Sequence, residues 1–184
     1  MDIFKRILES HVGEWEDVSY EQLVEELELD EEYTPYQKKQ RKEPPFRRFR
    51  RCAEYTRTYL EKIVSNQVFK NKLHHFMEIK RNNPTTPINS GEDRMFTGGG
   101  NYKNAIPNLR HYHISFDISI LYRVENEGGE PVVYLYGFYT HDELGIGSPS
   151  SPTKQKAMAR KFQNTQFESA RRLRDRLGLL FLMT

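Results

Sequence analysis

The segment HYHISFDISILYRV, residues 111–124, places His111, His113 and Asp117 within one short run of β-formers, and a further histidine, His141, follows in YTHDELG. Histidine is the side chain whose ordinary pKa lies nearest neutrality, so neighbouring imidazoles can accept and donate protons in neutral solution. Strands alternate faces. The spacing therefore predicts His111 and His113 on one side, with Tyr112, Ile114 and Phe116 on the other, facing a core. Two imidazoles and a carboxylate are the groups needed to take a proton from a ribose 2′-hydroxyl and give one to a leaving 5′-oxygen. Such a transfer requires no metal when cations stabilise the phosphorane. Arg110, Arg123, Lys103 and Arg94 are the basic residues available for phosphate contact.

A His-x-His pair on a strand also suits a structural or metal-binding role, with His141 or Asp117 as third ligand. One cysteine, Cys52, excludes an internal disulfide and a multi-cysteine zinc site, and no second close ligand pair is present. The expectation is a site without metal and a chain without cofactor. No Walker loop, nucleotide-binding glycine fingerprint or HExxH stands in the sequence, and GGG at 98–100 reads as a turn. His74 and His75 lie in a helical stretch as surface or packing residues.

The elements that must position these groups follow from periodicity. Residues 2–12 and the segment YEQLVEELEL have helical spacing, the second preceded by a Ser19/Gln22 capping box. A Pro-containing linker precedes a helical stretch over 46–81, with a break near Ser65-Asn66 that makes two antiparallel helices. The Pro-, Gly- and Asn-rich residues 81–108 read as a long loop. LRHYHIS, DISILYRV and VVYLYGFYTH are predicted as three strands of an antiparallel meander, in which the flanking strands bring their histidines to one end. Residues 153–177 read as a basic helix that Gly178 could cap, before an apolar LLFLM tail.

The 184 residues carry a net charge of +2, but unevenly. Residues 1–32 hold two basic against twelve acidic residues, a net of −10, which leaves +12 on the remainder. A basic body with an acidic arm points to a polyanionic partner for the body. The arm either restrains that body in cis or packs onto the scaffold through Ile3, Phe4, Ile7, Leu8, Leu23, Val24 and Leu27. No apolar run is long enough to span a bilayer and no signal-peptide core is present, so the expected setting is the cytoplasm, with no membrane partner.

With FKNKLHHFMEIKRNNP, LRHYHISFDISILYRV and VVYLYGFYTHDELG in order, the span from about Phe69 to Gly147 resembles the RelE/ParE superfamily of bacterial toxins, especially its YafQ-like messenger-RNA interferases. The resemblance implies an α+β fold, a small antiparallel sheet with a helical hairpin on one face and RNA on the other. It divides the chain into an acidic helical extension and basic linker over 1–45, a RelE-like core over 46–148, and a basic helix with apolar tail over 149–184. It also implies metal-independent RNA cleavage, commonly of ribosome-bound messenger RNA, and an antitoxin partner. His113, Asp117 and His141 fall on its acid–base positions, and His111 where that branch carries a carboxylate. Arg110 fits a phosphate-facing position, and Gly145 stands where the family often has a base-stacking aromatic. The alternative is a non-catalytic RNA- or ribosome-binding protein on the same fold.

Overall fold

The structure is a computed structural model and describes residues 15–28, 48–88, 91–96, 108–147 and 149–162. In chain order the elements are β1 (Trp15–Val18), α1 (Tyr20–Glu26), β2 (Arg48–Cys52), α2 (Ala53–Lys62), α3 (Gln67–Asn82), β3 (Asp93–Met95), β4 (Arg110–His113), β5 (Ile118–Glu127), β6 (Glu130–Thr140) and α4 (His141–Leu144). Residues 152–162 are helical as well. The fold is α+β, with one six-stranded sheet in the order β1-β2-β6-β5-β4-β3. Predicted elements over 2–12 and 163–178 and the apolar tail lie outside the described residues.

The meander forms where alternation predicts it, β4 against β5 and β5 against β6, both antiparallel. Gly128 and Gly129, both at positive φ, make the two-residue turn between β5 and β6. Three expectations need correction. The stretch 46–81 is not helical from its start. Arg48–Cys52 alternates, with Phe49 in the core and Arg48 and Arg50 turned to Asp17, and is a strand. β2 pairs parallel with β6, so the sheet is mixed rather than antiparallel. The loop over 81–108 contains the edge strand β3, which pairs with β4.

One sheet face carries the three N-terminal helices. Phe49, Tyr112, Ile120, Tyr122, Leu135 and Phe138 from the strands meet Leu23, Tyr55, Tyr59, Leu73 and Phe76 from α1, α2 and α3. Phe76 lies 5.2 Å from the Tyr112 ring and 5.0 Å from that of Tyr122. Ser19 caps α1 with Gln22 in the predicted box, and Asn66 caps α3 by accepting from the Phe69 N–H. Opposite faces of a twisted sheet are seldom both apolar unless both are covered, and here both are. Leu109, Leu121, Tyr134, Tyr136, Tyr139 and Leu144 build a second core with Phe162 of the 152–162 helix. Phe162 sits edge-on between Tyr136 at 5.1 Å and Tyr139 at 5.5 Å.

A buried ionic cluster ties the β3 edge to α3. Asp93 accepts from Tyr122 Oη at 2.7 Å, Arg110 Nε at 2.8 Å and Lys80 Nζ at 3.3 Å, and from the Ile88 N–H at 2.9 Å. Burial works against its charge. The hydrogen bonds from Tyr122 and Arg110 prevail and hold the carboxyl below its usual range.

Candidate active site

Adjacent strand ends bring the histidines together. His113 ends β4 opposite Ser119 on β5, Ser119 is opposite Tyr139 on β6, and His141 opens α4. Thr140 fixes that entry through a reciprocal capping box with Glu143. The His141 N–H donates to the Asp117 carbonyl at 2.8 Å, with Asp117 Oδ1 at 3.3 Å from the same nitrogen. Asp117 therefore anchors the His141 backbone rather than its ring. The ring has a different partner, as His141 Nε2 lies 3.3 Å from Ser119 Oγ.

The His113 and His141 ring centroids are 4.7 Å apart, and His111 meets His113 edge-on at 5.3 Å. Burial first, and then the neighbouring imidazoles, push the His111 pKa down to about 4. Burial followed by the His141 and Arg94 charges lowers His113 as well. Both rings are therefore neutral at pH 7, and His113 can accept a proton. His111 is 5% exposed and neither ring nitrogen has a hydrogen-bond partner. Its predicted face is correct, but that face is itself a core, and His111 lies inside it. Among the described residues no three His, Cys, Asp or Glu side chains are arranged to hold a metal ion.

The basic candidates divide. Arg110 places Nε on the Asp93 carboxylate and a terminal nitrogen on the Asp93 carbonyl at 2.7 Å. Arg123 is 4% exposed, pairs with Glu125 at 2.7 Å and lies over the Tyr134 ring at 4.7 Å. Arg94 is exposed, sits directly across from His111 in the sheet, and donates to the Gly91 carbonyl at 3.0 Å. Lys103 lies outside the described residues.

A groove of about 740 Å³ opens beside His113, between the first turns of α3 and the β4–β5 turn. Val68, Asn71, Lys72, Glu92, His113 and Phe116 are among its lining residues. Lys72 Nζ pairs with Glu92 at 3.0 Å, and that carboxylate raises its pKa against the effect of burial. Phe116, expected in the core, is instead 96% exposed. β4 has ended by then, and Ser115 Oγ accepts from the Asp117 and Ile118 N–H groups to make the turn. The sequence reasoning missed Ser119, Lys72 and Phe116 as site residues. The signal for Phe116 was present, since a Ser and an Asp flanking one residue between two strands mark a turn.

Gly145 has a structural reason to be glycine. It caps α4 at φ +66°, and a Cβ there would lie 2.5 Å from the Ser151 carbonyl oxygen. Compared with family models, with curated proteins and with solved structures, the chain matches none.

Proposed function

We propose that this protein is a metal-independent endoribonuclease of the RelE/ParE type that cleaves RNA, with messenger RNA on the ribosome as the substrate class the resemblance implies. One observation carries the reading: His113 and His141 stand ring to ring, 4.7 Å apart, and His113 lines an open groove. His113, held neutral, takes the proton of a ribose 2′-hydroxyl as its oxygen attacks the adjacent phosphorus. The 5′-oxygen leaves and receives a proton from His141, the general acid of the pair. Ser119 orients that ring, and Asp117 holds its backbone. Among the described residues, the Arg94 and Lys72 charges act on His113 and are offered to the developing phosphorane. The Lys72–Glu92 pair is part-exposed and open to exchange, whereas Arg110 is tied to the buried Asp93 and Arg123 is itself buried beside Glu125. A helical hairpin on one sheet face followed by a three-stranded meander agrees with this reading. A cytoplasmic setting with an antitoxin partner belongs to the same proposal.

A second reading, a non-catalytic RNA-binding protein, is favoured by those committed arginines and by the burial of His111. Purified protein incubated with RNA in EDTA separates the two. Cleavage should persist and leave 2′,3′-cyclic phosphate and 5′-hydroxyl ends. His113→Ala and His141→Ala should each lower the rate roughly 10²-fold or more with RNA affinity retained. His74→Ala, whose ring bonds Tyr20 away from the groove, should leave the rate unchanged. Activity on free RNA lost in EDTA and restored by zinc or magnesium overturns the metal-free mechanism. Binding without any cut, either of free RNA or of messenger RNA on translating ribosomes in magnesium, establishes the second reading.

A further inference from the structure

Phe116 takes no part in the proton chemistry, yet it is the most exposed large apolar side chain among the described residues, at 96%. Its platform is fixed. The Ile114 and Ser115 N–H groups both donate to the Ile118 carbonyl, at 2.8 and 3.0 Å, and Ser115 Oγ closes the turn from the other side. Across the groove Val68 is 71% exposed, while Asn71, Lys72 and Glu92 supply polar groups between them and His113 completes the lining. An aromatic ring held open on a rigid turn, facing a small cleft with a cation in its wall, is a stacking platform with room for one planar ligand.

We infer that this groove is a nucleobase subsite. One unpaired nucleotide of the RNA, next to the bond being cut, stacks its base on Phe116, with its phosphate toward Lys72 and its base edge toward Asn71 and Glu92. The inference rests on the ribonuclease reading and names where that enzyme holds its substrate. The polar wall selects this occupant over an apolar side chain from a protein. Such a side chain would desolvate Asn71 and the Lys72–Glu92 pair without replacing their hydrogen bonds. A nucleotide offers a π-face to the ring, donors and acceptors to the amide and carboxylate, and an anion to the lysine. His113 lines the same groove, so a nucleotide bound there is continuous with the reacting imidazoles.

The test is binding of a short, fluorescein-labelled 2′-fluoro RNA single strand, which cannot be cleaved, measured over a range of salt concentrations. Phe116→Ala should weaken binding roughly tenfold with the salt slope unchanged, since a stacking contact and no phosphate contact is lost. Phe116→Trp should bind at least as tightly as the parent chain. Lys72→Ala should reduce the salt slope by about one. Exposure of Phe116 makes its replacement harmless to folding. Binding by Phe116→Ala or Phe116→Leu equal to that of the parent overturns the subsite while leaving the ribonuclease reading intact. So does a Phe116→Ala chain that changes oligomeric mass but not RNA affinity, which would make the ring a protein contact. A parent chain that binds no RNA at low salt sinks both readings together.

Discussion

His111 and His113 share a strand face, and two residues of separation decide what each can do. His113 ends β4 and is half-buried beside the groove, whereas His111 is enclosed between Phe96, at 6.5 Å, and His113. The sequence placed both rings on one face correctly. It could not show that residues 152–162 and the tyrosines of β6 turn that face into a core, because the Phe162 contacts are distant in the chain. An imidazole buried without a hydrogen-bond partner makes a specific contribution to acid lability. The folded His111 pKa of about 4 lies below its ordinary value of 6.5. Between those limits the unfolded chain binds the extra proton, so stability is full above about pH 6.5 and declines as pH falls toward 4. The loss should total on the order of 3 kcal/mol at the acid end. His111→Leu should flatten the curve between pH 7 and 4.5 in urea titrations. A curve of undiminished slope in that variant would assign the acid lability to other groups.

At the scale of elements, the meander was legible because its pattern is local: alternation on both strands and a Gly-Gly turn between them. β2 was not, because Phe46 and Phe49 are spaced three apart and suit a helix as well as they suit a strand. Its parallel partner β6 lies some eighty residues on, beyond the reach of any sequence window. β3 is three residues within a Gly- and Pro-rich stretch, and the long-range Asp93 cluster is what holds it. The contact of α2 with β6 shows how such non-local packing is fixed. The sheet register slips between Leu121 and Tyr122, a bulge that presents Gly137 at φ +138° to α2. A Cβ on Gly137 would meet Thr58 Oγ1 at 2.8 Å, and that hydroxyl accepts from the Phe138 N–H at 2.9 Å while donating to the Glu54 carbonyl at 2.7 Å. Gly137→Ala therefore adds both overpacking and backbone strain, and should cost about 2–4 kcal/mol of stability. The urea midpoint measures it, and a shift equivalent to under about 0.5 kcal/mol would mean that α2 is free to move away.

At the scale of the whole molecule, the acidic arm was open to two readings, restraint of the basic body or packing onto the scaffold. The described part, residues 15–28, is built into the scaffold. β1 extends the sheet beside β2, and Trp15 meets the edges of Tyr134 and Tyr136 at 4.9 Å each. Val18, Leu23 and Leu27 are at most 4% exposed in the helix-covered core. Its carboxylates face the basic residues of β2, with Asp17 on Arg50 at 2.7 Å and Glu16 and Glu26 on Arg51 at 2.9 and 2.5 Å. Tyr20 of α1 bonds His74 of α3 at 3.1 Å, under the Arg81 guanidinium of the same helix α3. The charge imbalance thus reflects, in part, ion pairs that join β1 and α1 to β2, and none of these contacts involves the groove beside His113. Burial of Val18, Leu23 and Leu27 contributes roughly 1.5–3 kcal/mol each, with Trp15 partly buried beside them, a total comparable to the whole net stability of about 5–15 kcal/mol of an ordinary domain. A chain beginning at Leu29 should therefore lose its cooperative thermal transition, or fail to stay soluble, instead of binding RNA more tightly. Calorimetry and RNA binding on the same sample distinguish the outcomes. A truncated chain that melts cooperatively near the parent temperature and binds RNA with higher affinity and a steeper salt dependence would restore the arm as a restraint.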